Sequence, residues 1–406
     1  MAPPVTLWAV LIFLGTYLVL AIGRLPGFRV DRTGAAIIGA TLMVALNVLS
    51  ISEAIAAINT DTILLLFGMM IVVANLRLSG FFALVTEWVI KHAHQPLILL
   101  ASIVAVSGLF SAFFVNDTMC LVLTPLVLDI TTQLRRNPVP YLLAVAMASN
   151  IGSVATITGN PQNMLIGSFS GIGYRDFAAA LAPVALAGMV MVVAIIALVY
   201  RREFLRTAAR VEIEPPPVRV HRVLAWKSTV ASAVMIVLFF AGWPVAKVAL
   251  VTGALLLVTR RVKPERIYAE IDWSLLVLFI GLFIVVQGVE KTSLSRDLFA
   301  IASGLHLEKS GVMSAFAAVL SNIVSNVPAV LVFRPFIPHL PDPRHAWLTL
   351  AMSSTLAGNL TVLGSVANLI VIQRARHKVK IGFWEYARAG IPLTVLTIAI
   401  GVLLLR

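Results

Sequence analysis

Long apolar runs, separated by short polar or basic stretches, fill the chain. Leu7 to Gly23, Gly34 to Leu49, Ile63 to Leu78 and Pro183 to Tyr200 are four of them. Each is close to the roughly 20 residues that carry a helix across a bilayer core. In lipid only helices or closed barrels satisfy their own backbone groups, and these runs are continuous rather than alternating, so they predict helices. The expected spans are 5–23, 34–50, 62–79 and 178–200 in the first half, and 226–242, 244–259, 273–289 and 384–405 in the second. In each half a hairpin (97–134, 310–337) and a polar-interrupted helix (140–169, 346–373) precede the last span. The expected fold is therefore an all-α polytopic membrane protein of two repeats, each with five transmembrane helices plus a helical hairpin, and with broken helices at the midplane.

The two halves resemble each other residue by residue. "LFSAFFVNDTMCLVLTP" at 109–125 aligns with "VLSNIVSNVPAVLVFRP" at 319–335 at a constant offset of 210, pairing Ser111 with Ser321, Asn116 with Asn326 and Pro125 with Pro335. Further on, Met147, Thr156, Gly159 and Asn163 pair with Met352, Thr361, Gly364 and Asn368 at an offset of 205. Asp61 and Asp272 each open a third span. Five crossings per half is an odd number, so the second repeat (226–406) starts on the opposite face from the first (1–200) and is inverted. Inverted repeats with interrupted helices are the usual plan of secondary transporters, whose sites lie near the bilayer midplane.

Composition agrees. Of 406 residues, 60% are hydrophobic and 12% charged, about half the charge of an ordinary soluble domain, and the mean hydropathy is +0.98. The net charge of +13 on a soluble protein would suggest nucleic acid; here it reads as topology, and no nucleic-acid partner is expected. With the N-terminus outside, the inner loops collect 21 Lys and Arg residues and the outer loops 8, the bias the positive-inside rule describes. That orientation places loops 201–227 and 374–380 in the cytoplasm and 291–309 outside, in a bacterial inner membrane. The linker 201–225, with Pro215-Pro216-Pro217, is polar and partly extended. A cleaved signal peptide is not expected, because no basic stretch precedes the first apolar run. The single cysteine, Cys120, excludes an internal disulfide and a cysteine-rich metal site.

Four polar clusters interrupt the apolar pattern: Asn116-Asp117-Thr118, Asn150 to Asn163, Ser325-Asn326-Val327-Pro328, and Gly358 to Asn368, which includes Thr361. Gly159 and Pro161 disfavour continuous helix. A break frees backbone groups, tolerated at membrane depth only where protein or a water-filled cavity satisfies them. Half-helix N-termini suit an anion, and freed carbonyls with Asn, Ser and Thr oxygens suit a small cation. Small residues also let helices pack closely, but four matched clusters exceed what packing asks for. Asp117 is the sharpest single residue, because a carboxylate between two long apolar stretches is a functional hypothesis by default. The seven histidines are expected in loops, which argues against a buried histidine relay.

These motifs resemble the ion transporter superfamily, which includes the arsenite permeases, related sodium/proton antiporters, and divalent-anion/sodium symporters with the citrate transporter domain. "VNDTMCLVLTPLVL", "SGIGYRDFAAALAP", "LTVLGSVANLI" and "IGFWEYARAGIP" look most like the arsenite-permease-like branch. The resemblance implies a mobile transport unit of two hairpins and two broken helices on a scaffold that often forms a homodimer. By position it implies binding groups at Asn116, Asp117, Thr118, Thr158, Gly159, Asn160, Asn163, Ser325, Asn326, Asn359, Gly364, Ser365 and Asn368. Symporter tips read Ser-Asn-Thr, whereas these read Asn-Asp-Thr and Ser-Asn-Val-Pro. Val and Pro remove a hydroxyl that sodium would use, so a proton carried by Asp117 is favoured over sodium as the coupling ion.

The expected function is secondary transport of a small anion or metalloid oxyacid, driven by a proton or sodium gradient, with sodium/proton antiport as the alternative. No cofactor and no metal are expected. No paired aspartate, Ser-His or His-Glu zinc arrangement lies at membrane depth, so a membrane enzyme is not expected. The chain has no Gly-rich Lys-Ser/Thr phosphate loop, so an ATPase drive would need a separate partner chain.

Overall fold

A computed structural model describes residues 3–24, 27–92, 95–205, 220–259, 261–292, 304 and 306–405. Most of the linker 201–225 and of the loop 291–309 lies outside the described residues. Among the described residues the regular structure is helical apart from one bridge pair, Arg24 with Asp31. In the N-terminal half the helices are α1 (Pro3–Ile22), α2 (Arg32–Ala45), α3 (Ile51–Ala57), α4 (Thr60–Leu78), α5 (Phe81–His92), α6 (Pro96–Phe113), α7 (Asn116–Gln133), α8 (Pro138–Ser153), α9 (Pro161–Ser170) and α10 (Tyr174–Val199). After the short α11 (Arg201–Phe204) come α12 (Arg222–Phe240), α13 (Val245–Leu257), α14 (Pro264–Tyr268), α15 (Trp273–Glu290), α16 (Ser310–Val324), α17 (Asn326–Phe333), α18 (Pro343–Leu356), α19 (Val366–Ala375) and α20 (Phe383–Leu404).

Local chemistry sets the starts. Asp31, Asn59, Asn137, Asn160, Asp272, Asp342 and Ser365 each accept a backbone N–H as N-cap. Such a cap is worth about 1 kcal/mol. Proline occupies the first turn of α6, α8, α9 and α18, where its missing N–H costs nothing. Among the described residues seven helices (α1, α4, α6, α10, α12, α15 and α20) are long and apolar enough to cross a membrane by length and composition.

Several sequence expectations shift. The second span ends at Ala45 rather than residue 50, and Ser50 instead opens α3 with a capping box to Glu53. Helices α3, α5, α11 and α14 were not expected, because they are short or mix charge into an apolar run. Of the seven histidines expected in loops, His92 closes α5, His339 ends a short 3-10 helix and His345 lies in the first turn of α18.

Packing separates two kinds of helix. Helices α1, α10 and α12 keep large apolar side chains exposed, such as Leu7, Leu14, Val190 and Trp226, as a lipid-facing helix does. Helix α8 is different: every residue from Val139 to Ser153 is buried. So is every residue of α18 from Ala346 to Leu356. The broken helices therefore form the centre. Around them, α4 packs on α13 and α2 on α15. Both contacts are backbone to backbone: a Cβ on Gly68 would lie 2.6 Å from the Ala249 carbonyl carbon, and one on Gly281 would lie 2.8 Å from that of Ala36.

Candidate functional site

The first hairpin turns through two residues, Phe114 and Val115, and the second through one. Helix α6 stops at Phe113 and α7 restarts at Asn116, whose backbone N–H donates to the Gly159 carbonyl at 2.9 Å. Helix α16 stops at Val324 and α17 restarts at Asn326. The linking residue, Ser325, has φ 78° and ψ 161°, a region populated almost only by glycine. The strain is held at the tip of the hairpin, where a side chain other than hydrogen has been kept.

The two helix breaks are built alike. Asn163 donates Nδ2 to the carbonyls of Ser153 and Thr156, each at 3.0 Å. Asn368 donates Nδ2 to the carbonyls of Gly358 (2.7 Å) and Thr361 (3.0 Å). All three positions are related by the offset of 205 found in the sequence. The freed carbonyls at the end of one half-helix are thus stapled by the amide at the start of the next, which answers the cost of unpaired buried backbone. Gly159 and Gly364 repeat the relation: a Cβ on Gly159 would collide with the Ser153 carbonyl oxygen, and one on Gly364 with that of Gly358.

Asn150 joins the two breaks. Its Oδ1 accepts from Asn116 Nδ2 (3.0 Å) and Ser365 Oγ (3.1 Å), and its Nδ2 donates to Asn359 Oδ1 (2.9 Å) and Asn368 Oδ1 (3.0 Å). One fully bonded side chain thus ties the first tip and first half-helix to the second break. Asn160 caps α9 and donates to Ser153 Oγ at 2.9 Å.

A cavity of about 90 Å³ lies between the tips, lined by Asn116, Asp117, Ser325, Asn326, Ser365 and Arg32 among others. Asp117, in the first turn of α7, is half-buried, and the Ala367 amide at the start of α19 faces its carboxylate. The Oδ1 atoms of Asn116 and Asn326 are buried and have no hydrogen-bond partner among the described residues. They are the matched residues of the two tips. Unpaired buried acceptors cost about 1–3 kcal/mol each, and both belong to residues that line the cavity.

Not every candidate gathers here. Thr158 bonds the Tyr174 hydroxyl at 2.8 Å, beside a separate cavity of about 400 Å³ that also holds Asp61 and Lys247. Thr361 Oγ1 reaches Asn322 Oδ1 at 3.3 Å, and Thr118 is half-buried beside Asp117 without lining the cavity. Arg334 sits 3.7 Å from Glu290 and 4.4 Å over the Phe169 ring, outside this cavity. Three contributors carried no sequence signal of their own. Tyr17 donates to the Pro328 carbonyl at 3.1 Å, Thr355 Oγ1 accepts from Asn160 and Gln162, and Arg32 counted only as a loop cation.

A family model described as "Citrate transporter" matches residues 10–357. The chain belongs to the citrate transporter family. The match stops before Asn359, so the second break and α19 lie beyond the matched segment. Across the family's relatives, a 46 kDa membrane protein of Mycobacterium leprae is 31% identical over 97% of this chain and 96% of its own length. The silicon efflux transporter LSI3 of Oryza sativa is 29% identical over 96% and 95%. A putative transporter arsB of Dictyostelium discoideum is 25% identical over 92% and 87%. Among solved structures, the YdaH transporter of Alcanivorax borkumensis, described as having an unusual topology, shares the fold at TM-score 0.60 and 16% identity, with 99% and 97% of the chains covered. The protein is a polytopic membrane transporter of the ion transporter superfamily, of which the arsenite-permease-like resemblance was the sequence-level sign.

Proposed function

We propose that this transporter moves a small oxyanion or metalloid oxyacid across the inner membrane, coupled to a proton through Asp117. The observation that carries this reading is that Asn116 and Asn326, each with a buried and unpartnered Oδ1, line one cavity with Asp117. Hydroxyls of an oxyacid donate to amide oxygens; the starts of α7, α17 and α19 offer N–H groups to its oxygens. Relatives named for silicon efflux and as arsB support the substrate class. The matched staples at Asn163 and Asn368 support two inverted repeats, 1–200 and 226–406, whose hairpins and broken helices move as one unit. The charge bias supports an external N-terminus and a cytoplasmic 374–380 loop.

A second reading rests on the same atoms. Two amide oxygens and a carboxylate are also a ligand set for a hard cation, which fits sodium/proton antiport. Uptake into proteoliposomes of arsenite, silicic acid, phosphate, sulfate, succinate and citrate, under an imposed pH or sodium gradient, separates the two. Gradient-driven accumulation of one solute is the expected result. Sodium flux coupled to protons with no solute moved would replace the first reading by the second.

A further inference from the structure

Arg32 is an odd residue in its place. It is the first residue of α2, beside the N-cap Asp31, where the helix dipole disfavours a cation. Its Nε donates to the Leu20 carbonyl of α1 at 3.1 Å, and its two Nη groups make no hydrogen bond or ion pair among the described residues. Asp31 caps α2 through Gly34 N and Asp272 caps α15 through Leu275 N, and neither forms an ion pair with Arg32 among the described residues. Arg32 is half-buried and lines the tip cavity with Asp117, Ser325 and Asn326, yet no ion pair joins it to Asp117.

A half-buried guanidinium without a carboxylate partner is costly unless something else supplies the negative charge. Its Nε is fixed on α1, so the free edge is pre-oriented and presents the planar fork that matches an oxyanion. The tip residues offer amide oxygens for hydroxyl groups but no cation, and Arg32 provides the one charge they lack. We infer that Arg32 is an anion-binding residue contributed from outside the hairpins, which selects charged oxyanions over neutral oxyacids at the tip cavity. This rests on the transport reading above and narrows its substrate class.

The test uses the full-length protein in detergent and in proteoliposomes. Thermal unfolding midpoints are titrated with sulfate, phosphate, succinate and citrate at fixed ionic strength, and with silicic acid, which is neutral at pH 7. At least one anion is expected to stabilise the wild type. Arg32→Gln should raise its half-saturating concentration tenfold or more, and Arg32→Lys, which keeps charge but loses the fork, should raise it less. Arg32→Cys offers a check insensitive to folding defects: aminoethylation of the new thiol restores a cation and should recover anion affinity. The native Cys120 is buried. Wild-type anion affinity in Arg32→Gln, or no recovery on aminoethylation, would overturn the inference. So would stabilisation of the wild type by silicic acid alone, which leaves the transport reading standing. A wild type that moves no solute in proteoliposomes sinks the transport reading itself.

Discussion

The two hairpin tips occupy matched places and meet in one cavity, yet they are made differently. The first, Asn116-Asp117-Thr118, carries a titratable group; the second, Ser325-Asn326-Val327-Pro328, carries none and instead holds a serine at φ 78°. Behind the tips the halves agree in their staples, with Asn163 and Asn368 Nδ2 bonding equivalent carbonyls. Where the halves agree, the residues satisfy backbone freed by the helix breaks. At the cavity the matched Asn116 and Asn326 are joined by two residues without a counterpart in kind, Asp117 and Ser325. The difference puts the one titratable group at the first tip and the strained backbone at the second.

The largest effect expected from this comparison is at Asp117. Asp117→Asn keeps shape and hydrogen bonding but removes the charge, and it should abolish proton-driven accumulation while leaving substrate counterflow. Vesicles of Asp117→Asn that still accumulate substrate, with an unchanged pH profile, would move the coupling role elsewhere. Next come the staples. Asn163→Ala and Asn368→Ala should each cost about 1–3 kcal/mol in unfolding free energy, since each exposes two buried carbonyls without partners. Asn368 Oδ1 also accepts from Asn150 whereas Asn163 Oδ1 has no partner among the described residues, so Asn368→Ala should cost the more, and a larger loss at Asn163 would break the comparison. A smaller and opposite effect is expected at the second tip: Ser325→Gly relieves backbone strain and should raise stability by about 1 kcal/mol. Its uptake rate should fall all the same if the tip needs a fixed geometry.

The smallest effect lies away from both tips and serves as a control. Glu53 pairs with Lys291 at 2.5 Å, and that hydrogen bond, with those from Ser50, lowers its carboxyl from 4.5 to about 2. A depressed folded value means the contribution is present above the unfolded value of 4.5 and is lost as pH falls through about 2. The pair is exposed and screened, so Glu53→Gln should lower the melting midpoint slightly at neutral pH, and the gap should close toward pH 2. A gap that widens on acidification would refute the assignment.

Much of this architecture could be read in advance because lipid simplifies the code. Continuous apolar runs gave the spans, and Gly159, Pro161 and the asparagines stood out as interruptions that a membrane does not tolerate idly. Matching offsets then paired Asn116 with Asn326, and Asn163 with Asn368. What escaped was what depends on distant neighbours. Tyr17 reads as one more aromatic in α1 until Pro328 is found 3.1 Å from its hydroxyl. Arg32 reads as a topology signal until the cavity beside it is seen. Helix α5 escaped for a local reason: "FFALVTEWVIKH" is too short and too mixed to register as a span.

The packing of α4 on α13 and of α2 on α15 bears on how the chain is made. In each pair one helix comes from each half, and the contact is through glycine backbone at Gly68 and Gly281. During synthesis the first half reaches the membrane with the Gly68 groove still empty, and only the emergence of α13 can fill it. Insertion and completion are therefore separate events, and a ribosome stalled before residue 245 should leave a nascent protein that is integrated, unfinished and open to proteolysis.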